Sequence, residues 1–213
     1  MSASLKYAPT NFNKRPVFDR LNTSPPPYLN SLRAVGTRRA FRSDPANKGY
    51  SWYHGPRFST TLKFAANHLP KRRRLFIDAG CGNSPDADLA REFKFKSAAK
   101  VDLFPLWEQR WGKSTYIQGD ICALSNLFPM EGADMVLCHA VLDLMPFKDR
   151  RLFYSEAAKV LATEGILAIG YQFLMNGYND WNVRKEEAAL RGAGLTKVVG
   201  NKYFLVYKKE ASK

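Results

Sequence analysis

The chain has 213 residues, 45% apolar and 13% aromatic, enough to bury a core and to exclude wholesale disorder. Its formal charge of +14 is unevenly spread. Residues 1–74 hold 15 Lys/Arg against two acids, Asp19 and Asp44, giving +13, while residues 75–213 hold 18 against 17, giving +1. No stretch approaches 18 uncharged apolar residues, which excludes a helical membrane span. No apolar run follows Lys6, which argues against a secretory leader. Cys81, Cys122 and Cys138 lie far apart, with neither metal-ligand spacing nor a disulfide framework. They suit a reducing compartment, so a cytoplasmic location is expected, with nucleus or organelle as alternatives.

In chain order, residues 1–30 carry Pro9, Pro16 and Pro25-Pro26-Pro27, the composition of an extended arm. The basic arm is expected to run over residues 1–49, closing at a turn from Asp44 to Gly49. Residues 50–70 are expected to cap a ligand pocket: an aromatic patch of Tyr50, Trp52 and Tyr53, then a helix over 58–69 stopped by Pro70. From residue 71 to 213 the pattern is that of a single regular domain. Strands are expected at Leu75–Ile77, Ala99–Val101, Thr115–Ile117, Asp134–Cys138 and Gly165–Tyr171, with a closing pair at Val198–Val199 and Tyr203–Tyr207. Helices are expected at 85–95, 106–111, 148–162 and 183–191. The helix at 148–162 would bury Leu152, Phe153, Ala157 and Leu161. This alternation implies an α/β, Rossmann-like, doubly wound and mostly parallel seven-stranded sheet with a C-terminal antiparallel hairpin.

The strongest local signal is Asp78-Ala79-Gly80-Cys81-Gly82-Asn83-Ser84-Pro85, set between an apolar strand and a helix. Glycines there permit a tight turn and close approach of backbone to ligand. A plain strand-to-helix turn is the competing reading. A dinucleotide fingerprint would need a third glycine near position 85, where proline stands. Asp86 and Asp88 in the first helical turn would repel a phosphate but not a cationic or zwitterionic ligand. Asp102 ends the second strand, where a carboxylate can accept from both ribose hydroxyls. Asp120 follows the third strand, placed to accept from an adenine amino group. Singly, each acid reads as a turn or cap residue. Three acids after three successive strands beside a glycine loop are much less easily accidental.

These residues resemble the class I S-adenosylmethionine-dependent methyltransferases over roughly residues 71–208. Asp78-Ala79-Gly80-Cys81-Gly82 is similar to the family's first motif. Asp102 with Leu103 is similar to its ribose-binding acid, and Asp120 with Ile121 to its adenine-side pair. The segment from Ala133 to Leu142 is similar to the family's fourth motif, and Lys159–Ile169 to its passage from helix to fifth strand. Ser84 departs from the usual third glycine. Gly-Cys-Gly-Asn-Ser also resembles a subgroup of protein-lysine methyltransferases, whose remaining pattern is not convincingly present. The resemblance implies a methyltransferase domain, S-adenosylmethionine as cofactor, no metal, and cofactor contacts from Asp78, Gly80, Cys81, Gly82, Asp102, Leu103, Asp120, Ile121 and His139.

On the stretch after the fourth strand, His139 and Asp143 are the ionisable groups and hence the catalytic candidates. His139 either acts as general base, lines the cofactor pocket or merely ends the strand. Asp143 either orients an acceptor or caps the turn before Pro146. An Asn/Asp-Pro-Pro-aromatic tetrad is absent here, and the fifth strand holds no lysine. The basic first third, with its interleaved aromatics, suits phosphate contact and base stacking. RNA or a ribonucleoprotein is therefore the expected partner through residues 1–74; a solvated tail or an acidic protein is the alternative. Arg57 is expected near the donor's carboxylate. The run Lys71–Arg74 is either a localisation signal or the flank of a buried strand edge. Small-molecule or protein acceptors, and an inactive RNA-binding or assembly factor, are the alternatives to an RNA methyltransferase.

Overall fold

The computed structural model describes residues 65–81, 89–103, 115–139, 141–142, 145–170, 182–200 and 204–211. The basic arm, the aromatic patch and the helix expected at 106–111 lie outside these residues. The described chain alternates strands and helices: β1 (Leu75–Ala79), α1 (Leu89–Glu92), β2 (Ser97–Asp102), β3 (Thr115–Gln118), a 3-10 helix (Ile121–Asn126), β4 (Ala133–His139), α2 (Phe147–Val160), β5 (Leu161–Gly170), α3 (Val183–Gly192), β6 (Leu195–Gly200) and β7 (Phe204–Lys209). All seven strands join one sheet in the order β3-β2-β1-β4-β5-β7-β6. β1 to β5 pair in parallel, and β7 runs antiparallel to both β5 and β6.

The strand order reverses direction between β1 and β4, because β2 and β3 extend one way from β1 and β4 and β5 the other. At such a switch point the loops leaving two neighbouring strands diverge, opening a crevice at the carboxyl ends. That crevice is where Gly80 and His139 sit.

Alternation explains which strand residues hold the sheet in place. Phe76, Met135, Leu137, Ile166, Ala168, Phe204 and Val206 belong to one buried cluster with Ala65, Ala90, Phe93 and Phe95. Phe76 and Phe95 meet with ring centroids 5.6 Å apart. Each fully buried side chain of this size contributes roughly 1.5–3 kcal/mol relative to exposure. Behind the amino ends, Arg74 pairs with the buried Asp134 (Nη2–Oδ1 3.1 Å), and Arg73 donates to the Phe93 carbonyl at 2.7 Å. Half of the Lys71–Arg74 run thus fastens the edge of the sheet.

Three elements differ from the sequence expectation. Leu161 and Ala162, expected at the end of a helix, already belong to β5; the chain turns at Leu161 and carries an irregularity in its pairing with β4, with Glu164 at φ +69°. Leu152, expected in the core, is 55% exposed. Asp149, Arg150, Phe153, Tyr154, Ala157 and Val160 fill the buried arc of α2 instead. The 3-10 helix has no long apolar period and leaves only Ile121 and Leu124 buried, so periodicity does not reveal it.

Candidate cofactor and acceptor site

The glycine loop begins where β1 ends. Gly80 and Cys81 donate their amides to the Val101 carbonyl at 2.8 and 3.1 Å, folding the loop over the end of β2. Gly80 has φ +77°, and a Cβ added there would lie 2.4 Å from Val141 Cγ2. Both facts demand glycine: the left-handed backbone penalises a Cβ, and the space beyond it is taken by the loop following β4. Gly82 and the helix-start residues 83–88 lie outside the described residues.

Beside this loop the register aligns three polar residues across three strands. Asp78 on β1 faces Lys100 on β2, and Lys100 faces Tyr116 on β3. Asp78 and Lys100 are buried. Burial pushes the Cys81 thiol far up, reinforced by the negative charges of Asp78 and Asp102. Burial also pushes the Tyr116 phenol far up, again reinforced by Asp102 and Cys81. These mutual effects gather Asp78, Cys81, Asp102 and Tyr116 into one electrostatic neighbourhood. Cys81 is therefore a protonated, buried thiol rather than a nucleophile.

Asp102 is half-buried at the tip of β2, where its backbone carbonyl accepts from the Gly119 amide at 2.8 Å. The Leu103 carbonyl accepts from Gln118 Nε2 at 3.0 Å, fixing the turn that follows. Asp120 is also half-buried and caps the 3-10 helix, its Oδ1 accepting from the Cys122 amide at 2.8 Å. The cap reading of Asp120 thus holds for one oxygen, and Oδ2 is without a hydrogen-bond partner among the described residues. Ile121 is buried.

His139 is the last residue of β4 and is buried. It pairs in register with Gly170, and a Cβ on Gly170 would fall 2.2 Å from the His139 ring. Gly170 is therefore the space into which the imidazole fits. Burial lowers the His139 pKa from the usual 6.5 to about 4. At neutral pH the ring is uncharged, able to accept a hydrogen bond but weak as a base. Asp143 and Arg57, the other acceptor-side and donor-side candidates, lie outside the described residues.

Two features beyond the sequence candidates border this edge. Asp149, in the first turn of α2, is buried, with no partner for Oδ2 among the described residues. Burial raises its pKa, with Lys148 lowering it and Asp120 raising it. Arg150, fully buried, forks onto Glu186 of α3: Nη2 and Nε reach Oε1 at 2.7 and 3.0 Å, and Nη1 donates to the Met145 carbonyl. Tyr154 completes the network by donating to Glu186 Oε2 at 2.6 Å. This network joins the start of α2, the start of α3 and the turn after β4. No sequence spacing announces it, because Arg150 and Glu186 stand 36 residues apart.

Among the described residues no group of three or more His, Cys, Asp or Glu could hold a metal ion, and no helix is long and apolar enough to cross a membrane. The donor set fits a sulfonium nucleoside. Asp102 and Asp120 offer carboxylates at adjacent strand ends, and the missing Cβ of Gly80 lets Val141 of the loop after β4 close against the glycine turn. Acid-rich surroundings also favour a positively charged ligand over a phosphate.

A seven-stranded sheet in this order, with its ligand edge at the β1/β4 switch point, defines the class I methyltransferase fold. Residues 77–169, from within β1 to within β5, match the family model of the methyltransferase domain. Among solved structures, the chain is similar to the 1,6-didemethyltoxoflavin-N1-methyltransferase of Burkholderia thailandensis, determined with 1,6-didemethyltoxoflavin and S-adenosylhomocysteine bound (TM-score 0.65, 17% identity, 85% of this chain and 90% of that one). It is similar to a TehB-like SAM-dependent methyltransferase from Corynebacterium glutamicum (TM-score 0.56, 16% identity, 88% and 100% covered). It is similar also to the magnesium protoporphyrin IX methyltransferase of Synechocystis, determined with SAM bound (TM-score 0.56, 16% identity, 86% and 94% covered). No curated protein matches the chain in sequence. Residues 77–169 thus carry a methyltransferase domain, on the fold of the class I S-adenosylmethionine-dependent methyltransferases.

Proposed function

We propose that this methyltransferase acts on RNA or a ribonucleoprotein, with the donor's adenosyl part held by Asp102 and Asp120 and its methionine part against the Gly80 loop. The observation that carries the donor assignment is the placement of Asp102 and Asp120 at neighbouring strand ends beside a glycine at φ +77°. S-adenosylmethionine supplies an electrophilic methyl group with its own leaving group, so the protein's main task is to align the acceptor. Asp102 accepts from the ribose hydroxyls, and the open oxygen of Asp120 accepts from the adenine amino group. His139, uncharged at neutral pH, can accept a hydrogen bond from an acceptor amine or hydroxyl and so orient its lone pair.

The acceptor assignment is supported by charge. Fifteen Lys/Arg against two acids in residues 1–74 make a polyanion the complementary partner. A second reading, a small heteroaromatic acceptor, is favoured by the toxoflavin-precursor and porphyrin enzymes whose fold this chain shares.

Labelled donor supplied with total RNA, protein and metabolite extracts separates the readings. Label in RNA is expected; label confined to metabolites establishes the second reading. Calorimetry with S-adenosylhomocysteine tests the donor site independently. Asp102→Ala should weaken binding by one to two orders of magnitude, in line with the roughly 1.5–3 kcal/mol carried by hydrogen bonds to a charged group. Gly80→Val, which forces a side chain into the space of Val141, should abolish binding. Unchanged affinity in both variants would overturn the assignment.

A further inference from the structure

Residues 75–213 are nearly neutral in total, yet their charges are segregated on α2 and α3. These helices hold four acids, and all four face inward or are engaged. Asp149 is buried; Glu156 accepts from Ser125 and Lys159; Glu186 is clamped by Arg150 and Tyr154; Glu187 pairs with Lys197 at 2.9 Å. The outward cations of their first turns are left without acidic partners among the described residues. Lys148 and Arg151 on α2 and Arg184 and Lys185 on α3 are all exposed, and none makes an ion pair among the described residues. By contrast, Lys159 in the last turn of α2 and Lys208 and Lys209 on β7 are each paired with a glutamate.

The buried pair brings the first turns of the two helices together. Lys148 and Arg151 flank Arg150, and Arg184 and Lys185 precede Glu186, so the Arg150–Glu186 contact at 2.7 Å sets the two cationic turns side by side. Packed helices stand about 8–10 Å apart and turn about 100° per residue, so Arg151 and Lys185 project beside the contact and Lys148 and Arg184 lie on the outer flanks. α2 follows β4 in a right-handed crossover, which puts its first turn at the carboxyl edge of the sheet, the edge that carries Gly80 and His139. The cationic ground is thus on the catalytic side.

Resting on the RNA reading above, we infer that Lys148, Arg151, Arg184 and Lys185 form a platform on the catalytic domain that holds the phosphate backbone of the acceptor strand beside the methyl-transfer site. Charge complementarity selects the occupant. Each helix exposes a single large aliphatic residue within this ground, Leu152 and Val183, and neither offers the continuous apolar face that lies down on a lipid surface. Phosphate contacts position a nucleic acid without reading its sequence. The platform therefore supplies register and proximity to the site, not base specificity.

A second set of exposed cations, with no ion pair among the described residues, provides the control. Lys71, Arg72, Lys94 and Lys96 lie by the amino ends of β1 and β2, at the far edge of the sheet, and equal the platform in charge. The test is fluorescence anisotropy of the full chain with a labelled single-stranded RNA of mixed sequence, titrated over a range of salt. The two variants are Lys148→Ala with Arg151→Ala, Arg184→Ala and Lys185→Ala, and the matching fourfold alanine variant of the far edge. Released counterions contribute about 0.7 to the slope of log affinity against log salt per phosphate contact. The platform variant is expected to lose about 3 from that slope, and the far-edge variant less than 1. Both should bind S-adenosylhomocysteine as the parent does, which confirms that they fold. Equal losses in the two variants would mean diffuse attraction and overturn the platform. An unchanged slope in the platform variant would overturn it while leaving the RNA reading standing. No RNA binding by the parent chain would overturn both, as would binding to phosphatidylserine vesicles in place of RNA.

Discussion

His139 shows how burial decides what a residue can do. The ring sits in space that Gly170 leaves open, and desolvation lowers its pKa to about 4. Between that value and the unfolded 6.5 the unfolded chain binds a proton that the folded chain refuses. Stability is therefore full above pH 6.5, falls as pH drops toward 4, and levels off below. The whole change amounts to roughly 3 kcal/mol. Urea denaturation of the parent chain and His139→Gln across pH 4–7 should show a smaller loss in the variant, which has no group to titrate. For the same reason the rate of methyl transfer should show no limb near pH 6.5. A limb there that disappears in His139→Gln would mean that the imidazole is accessible and basic. The residues legible in the sequence were those whose type is unusual for their place: Gly80, Asp102 and Asp120 each interrupt or end an apolar run. Lys100 and Tyr116 were not legible, because their alignment with Asp78 exists only through the register of three strands. Asp149 was hidden as well, since an acid in a helix's first turn ordinarily faces water.

At the level of elements, periodicity located the strands to within a few residues, and the glycine-rich turn after β1 fixed where the crevice lies. It failed where tertiary contacts decide. Leu152 has the composition of a core residue, but the arc that faces the sheet and α3 is taken by Phe153, Tyr154 and the buried Arg150. The Arg150–Glu186 pair gives the element scale its sharpest test. Both partners are nearly inaccessible, with side-chain exposures of 0% and 1%. Removing one charge leaves the other buried and uncompensated, a loss of about 3–5 kcal/mol. Glu186→Gln should therefore lower the denaturation midpoint strongly. Replacing Arg150 and Glu186 together by Met and Leu should recover much of the loss, since a well-packed apolar pair requires no desolvation of charge. If Glu186→Gln alone is as stable as the parent, the helices are not held by this network. The same network carries the turn after β4 through the Met145 carbonyl, so loosening it should raise the KM for the methyl acceptor before it weakens S-adenosylhomocysteine binding.

For the molecule as a whole, the charge division between the first third and the rest would govern how the proposed RNA acceptor is met. Fifteen Lys/Arg with two acids in residues 1–74 generate a long-range attraction that a domain of net +1 does not. The cations of α2 and α3 act at shorter range, where screening over about 8 Å at physiological salt leaves only near contacts effective. On the proposed RNA reading, the two charge sets would make separable contributions to binding: capture by the arm and placement by the helices. Deleting residues 1–45 removes eight Lys/Arg and both acids of that segment while leaving the strands, the glycine loop and the acids of the cofactor site untouched. Association with RNA at low salt should slow by an order of magnitude or more, because electrostatic steering raises on-rates by about 10–1,000-fold. The residual binding should keep the part of the salt slope that the helix cations supply. Affinity for S-adenosylhomocysteine should stay within a few-fold of the parent. Stopped-flow association at two ionic strengths measures the first quantity, and calorimetry the last. If the truncated chain captures RNA as fast as the full one, the basic third has another partner, and an acidic protein surface becomes the better match for its charge.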